Sequence, residues 1–72
     1  MATILIVEDD LTFSRILTAF LTKNGFEVKV AHSLKEGREV LNDSRVDLGL
    51  FDYRLPDGNG LELLQEIGRA HV

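Results

Sequence analysis

The chain has 72 residues, of which 44% are hydrophobic and 28% charged, with a net charge of −4 and no cysteine. A chain this short admits one small domain, which buries only about 60% of its unfolded surface, and without cysteine it can have neither disulfides nor thiolate metal sites. The acidic balance argues against direct nucleic-acid binding by this segment, and no apolar run approaches the roughly 18 residues of a membrane span. Met1-Ala2-Thr3 carries no basic flank and no cleavage signal, so a cytoplasmic location is expected. Thr3-Ile4-Leu5-Ile6-Val7 is a continuous apolar, β-branched run that ends in acids, the pattern of a strand buried on both faces. Phe13, Ile16, Leu17, Phe20 and Leu21 then recur at helical spacing as one apolar stripe, with Asp10 as the expected N-cap and Asn24-Gly25 as the stop. Phe26-Glu27-Val28-Lys29-Val30 alternates strictly, which predicts an edge strand with one wet face.

Ser33-Leu34-Lys35-Glu36 has the spacing of a capping box and opens a second helix expected to run to about residue 43. Leu34, Gly37, Val40 and Leu41 form its weaker apolar stripe. Leu48-Gly49-Leu50-Phe51 predicts a third strand ending in Asp52. The turn-rich Leu55-Pro56-Asp57-Gly58-Asn59-Gly60 follows, and a third helix is expected from about Leu61. His32, just after the alternating strand, reads as a solvent-facing loop residue.

A β-α-β-α-β-α succession predicts an α/β, doubly wound parallel sheet. Placing the alternating strand at an edge and the apolar ones inside gives the order 2-1-3. Right-handed crossovers put the first helix on one face and the next two on the other. Ligands of such sheets bind beyond the carboxyl ends of the strands, where the winding reverses. Glu8, Asp9 and Asp52 all fall there.

Three carboxylates in one crevice repel one another unless a cation joins them. Mg²⁺ suits oxygen-only ligands, taking one or two carboxylates and retaining waters or phosphate oxygens. Asp52 is then a candidate nucleophile for an aspartyl phosphate. Taken singly, Glu8-Asp9 and Asp52 read equally well as a helix start and an ordinary loop acid; their joint placement favours a site.

Ile4-Leu5-Ile6-Val7-Glu8-Asp9-Asp10 together with Asp47-Leu48-Gly49-Leu50-Phe51-Asp52-Tyr53-Arg54-Leu55-Pro56-Asp57-Gly58-Asn59-Gly60 resembles the receiver domain of two-component response regulators. The resemblance implies a flavodoxin-like fold over residues 1–65, truncated to three βα units. It implies that Asp52 is the phosphoacceptor, served by a histidine kinase or a histidine phosphotransfer protein. It further implies that Asp9 and Asp52 ligate Mg²⁺ directly, that Glu8 works through a metal-bound water, and that Arg54 contributes its backbone carbonyl. Pro56 and Gly60 match the residues that shape the following loop.

Two departures accompany the resemblance. Gly49 stands where the family has a bulky aliphatic residue, so weaker packing is expected. The family's fourth and fifth strands, ending in Ser or Thr and in Lys, do not fall within these 72 residues, which predicts a chain incomplete for switching and an apolar third strand left open to self-association. Ile67-Gly68-Arg69-Ala70-His71-Val72 resembles the translation of a sequencing adapter, so 66–72 is expected to be a non-native tail. The competing readings are a Mg²⁺-dependent phosphohydrolase of the haloacid-dehalogenase type, whose motif Glu8-Asp9-Asp10-Leu11-Thr12 echoes weakly, and an inert fragment.

Overall fold

The structure, a computed structural model, describes residues 1–52 and 54–67, the last four by their backbone alone. Tyr53 and residues 68–72 lie outside the described residues, and with them most of the stretch expected to be a non-native tail. Strand β1 (Thr3–Val7), helix α1 (Leu11–Lys23), strand β2 (Glu27–Ala31), helix α2 (Leu34–Asp43), strand β3 (Leu48–Phe51) and helix α3 (Gly60–Ile67) follow in that order. The sheet is parallel with the order β2-β1-β3, as the strand patterning predicts.

Local signals set most boundaries. Asp10 caps α1, accepting from the Phe13 amide at 3.0 Å, and Ser33 caps α2, accepting from the Glu36 amide at 3.2 Å. The second strand begins one residue later than the alternation suggests. Phe26 is claimed by the end of α1: with Gly25 at φ +90°, the Gly25 amide reaches the Thr22 carbonyl and the Phe26 amide reaches the Leu21 carbonyl, both at 3.1 Å. That is a Schellman closure, which satisfies the helix's last carbonyls.

Alternation along β1 divides the molecule. Leu5 and Val7 point toward α2 and α3, and with Ala31, Leu34 and Leu63 form a fully buried cluster. Val40, Leu41, Val46, Phe51 and Leu55 pack around it. Ile4 and Ile6, also buried, point to the other face, where α1 lies. That helix does not bury the whole predicted stripe. Ser14 is its one buried residue, Leu17, Thr18 and Leu21 are half-buried, and Phe13, Ile16 and Phe20 are more than half exposed. The inner side runs instead through Ser14, Leu17, Thr18 and Leu21, rotated away from the middle of the apolar stripe.

Gly49 does not leave the gap expected of it. Gly49 and Phe51 share a face of β3, and the Phe51 ring folds back over Gly49, with Cζ 2.6 Å from where a Cβ would stand. The aromatic ring fills the volume that an aliphatic side chain would take. Among the described residues β3 pairs only with β1, and Leu48 at its start is 37% exposed.

Candidate functional site

The register of the sheet builds the site. β1 and β3 end level, with Val7 opposite Phe51, and the Asp52 amide continues the ladder by donating to the Val7 carbonyl at 2.9 Å. On the other side the Glu8 amide donates to the Ala31 carbonyl, also at 2.9 Å. Both acidic loops therefore leave the sheet at one level, on either side of the point where the winding reverses. Carboxylate oxygens of Glu8, Asp9 and Asp52 lie within 4.8 Å of one another.

Glu8 and Asp52 are half-buried and Asp9 is exposed. Burial pushes the Glu8 carboxyl above the usual carboxylate range, with Asp52 and Asp9 pushing the same way, while the Asp10 amide, which donates to Glu8 Oε2 at 3.1 Å, pulls it back. A carboxylate strained upward by its neighbours is relieved when a cation neutralises the group. The donors are all hard oxygens, with no imidazole or thiolate among them, so the set fits Mg²⁺ better than a softer metal.

The loop after Asp52 is tied at several points. The Arg54 amide lies 3.4 Å from Asp52 Oδ1, and the Arg54 side chain is exposed. Leu55 and Gly58 exchange backbone hydrogen bonds around exposed Pro56. The Gly60 amide returns to the Asp52 carbonyl at 3.1 Å, and a Cβ on Gly60 would collide with that carbonyl and with the Phe51 Cβ. Only glycine lets α3 begin this close to the strand. Asn59 caps α3, its Oδ1 accepting from Glu62 at 3.2 Å and its own amide donating to Glu62 Oε2 at 2.9 Å.

Two residues have roles that sequence patterns miss. Asp57 reaches across to α2, where Oδ1 accepts from the Leu34 amide at 2.8 Å and Oδ2 from the Lys35 amide at 3.0 Å. The Leu34 amide, followed by that of Lys35, holds the Asp57 carboxyl below the usual range. Ser33 and Asp57 thus cap the same helix, one from within the sequence and one from 23 residues away. His32 is not the solvent-facing loop residue expected; it is half-buried, and its Nδ1 lies 2.9 Å from the Glu8 carbonyl. No spacing rule connects residues 8 and 32; the signal is only that His32 directly follows a strand beside the acids.

Comparison with known proteins agrees with this architecture. The family model of the response regulator receiver domain matches residues 4–72. The transcriptional regulatory protein CpxR of Klebsiella pneumoniae is 39% identical over 71 residues, 99% of this chain and 30% of that protein. A CheY-like response regulator receiver domain protein from Methanospirillum hungatei superposes with a TM-score of 0.89 at 36% identity, covering 92% of this chain and 53% of that one. The response regulator TrrA of Thermotoga maritima, solved in complex with Mg²⁺-BeF, superposes with a TM-score of 0.88 at 30% identity, covering 93% and 58%. The chain belongs to the response regulator receiver domain family of two-component signalling. It spans less than a third of the CpxR relative and little more than half of these receiver structures. The match leaves the haloacid-dehalogenase alternative without support. Among the described residues, no helix is long and apolar enough to cross a membrane.

Proposed function

We propose that this chain carries the phosphoacceptor site of a cytoplasmic two-component phosphorelay, with Asp52 taking a phosphoryl group from a histidine kinase or a histidine phosphotransfer protein. The observation that carries the reading is the convergence of the Glu8, Asp9 and Asp52 carboxylates, from the ends of two adjacent strands, within 4.8 Å. Asp9 and Asp52 would hold Mg²⁺ directly, Glu8 through a water, and Arg54 through its backbone carbonyl, the last resting on the family resemblance. When bound, the cation supplies neutralising charge for the phosphoryl oxygens.

In the transfer, an Asp52 carboxylate oxygen forms a bond to phosphorus as the phosphorus–nitrogen bond of the donor phosphohistidine breaks, and the departing imidazole takes up a proton. The product is an acyl phosphate on Asp52. Hydrolysis later returns the carboxylate and inorganic phosphate. The chain's own contribution is positional: the Val7 carbonyl fixes the Asp52 backbone through the Asp52 amide, and the Asp10 amide orients Glu8. The domain is a signalling module and not an enzyme for a separate substrate.

The test is incubation with a small acyl-phosphate donor and Mg²⁺, followed by intact-mass analysis. A gain of one phosphoryl group that depends on Mg²⁺ and vanishes in Asp52→Asn is expected. Phosphorylation that persists in Asp52→Asn would move the acceptor elsewhere.

A further inference from the structure

The two peptide units that flank Glu8 are each held by one hydrogen bond. The amide of Glu8 donates to Ala31 at 2.9 Å as the last rung of the β1–β2 ladder, and its carbonyl faces Nδ1 of His32 at 2.9 Å. Beyond Ala31 the β2 backbone turns away to start α2, so no main-chain donor takes the next rung; the imidazole supplies it. A carbonyl can only accept, so Nδ1 carries the proton and the neutral ring is the Nδ1–H tautomer. On its α1 side His32 lines a groove of about 370 Å³ with Leu11, Ser14 and Thr18, the first turns of the helix that Asp10 caps. The ring therefore braces the end of the strand from which Asp9 follows, and it faces the start of α1 across the groove.

We propose that His32 is a positioning residue of the acidic site: its Nδ1–H, donating to the Glu8 carbonyl, sets the peptide plane from which the Asp9 side chain reaches a divalent cation. The role rests on the Mg²⁺ reading given above. It goes beyond that reading by assigning part of the site's affinity to a residue that never touches the cation. Outer hydrogen-bonding partners of metal sites commonly change affinity by about tenfold or more when removed.

Asparagine can place a side-chain N–H near the position of Nδ1, whereas glutamine places its N–H near Nε2. Wild type, His32→Asn, His32→Gln and His32→Phe are compared by calorimetric Mg²⁺ titration and thermal melting, with ¹⁵N spectra of the wild-type imidazoles. The expected result is a protonated Nδ1 on His32, Mg²⁺ affinity near wild type in His32→Asn, and a loss of about tenfold in His32→Gln and His32→Phe. A neutral His32 protonated at Nε2 would overturn the proposal whether or not metal binds. Equal Mg²⁺ affinity in all four proteins would overturn it while leaving the metal reading intact. Losses that follow the melting temperature, with Asn no better than Gln, would reduce His32 to a packing residue. A wild-type chain that binds no Mg²⁺ would overturn the metal reading itself, and this role with it.

Discussion

The two faces of the sheet are built to different standards. Beneath α2 and α3, Leu5, Val7, Ala31, Leu34 and Leu63 are each no more than 1% exposed. Beneath α1 the strand residues Ile4 and Ile6 are also buried, at 3% and 1% exposed, yet Phe13, Ile16 and Phe20 on the helix itself are 51%, 63% and 61% exposed. The Thr18 hydroxyl is buried there without a hydrogen-bond partner among the described residues, and a groove of about 270 Å³ opens between Phe13, Leu17 and Leu50. The closed face holds two helices against each other and against the sheet. The open face holds one helix chiefly by its inner edge and its caps. Stability should therefore be concentrated on the α2–α3 side, while α1 is held with little margin.

The sharpest way to break that comparison is truncation in the closed core. Leu34→Ala should cost about 2–5 kcal/mol in chemical denaturation, a large part of what a domain of this size possesses. A loss as small as that of a surface substitution would show the α2–α3 face to be loosely packed. Removing the α1 cap with Asp10→Ala should cost about 1 kcal/mol, and hydrogen exchange should localise the loosening to the first turn of α1. Even protection along both helices in that variant would mean that α1 is held by packing after all.

Asp57 sharpens the same contrast through pH. Its folded carboxyl titrates below its ordinary value of 3.8 because the Leu34 and Lys35 amides favour the ionised form. A depressed carboxylate contributes stability above its unfolded pKa and loses it as pH falls through the folded one. Wild type should melt above Asp57→Ala at neutral pH, and the gap should close on acidification below the carboxylate range. A gap independent of pH would assign the difference to the shape of the loop. Smallest of all, Phe20→Gln on the exposed side of α1 should stay within about 0.5 kcal/mol of wild type; a loss approaching that of Leu34→Ala would show that the open face is closed in solution.

Much of this was legible in local order. Strict alternation in residues 26–30 against unbroken apolarity in β1 and β3 determined the strand order, because a strand with one wet face belongs at an edge. Asp10, Ser33 and Asn24-Gly25 set helix ends by contacts spanning three or four residues, which a sequence displays directly. The acids that follow β1 and β3 are expected at one end of the sheet, because adjacent parallel strands send their carboxyl ends the same way. What only the tertiary structure decided are contacts between residues far apart in the chain. Which side of α1 faces inward, with Ser14 buried and Phe13, Ile16 and Phe20 exposed, depended on how the helix docks on the sheet. Phe51 filling the space above Gly49 depended on where a ring turned. The bonds from His32 to Glu8 and from Asp57 to the start of α2 join residues 24 and 23 positions apart. A hydrogen bond of that kind depends on how the loops pack in three dimensions, and sequence periodicity reports only the faces of single elements.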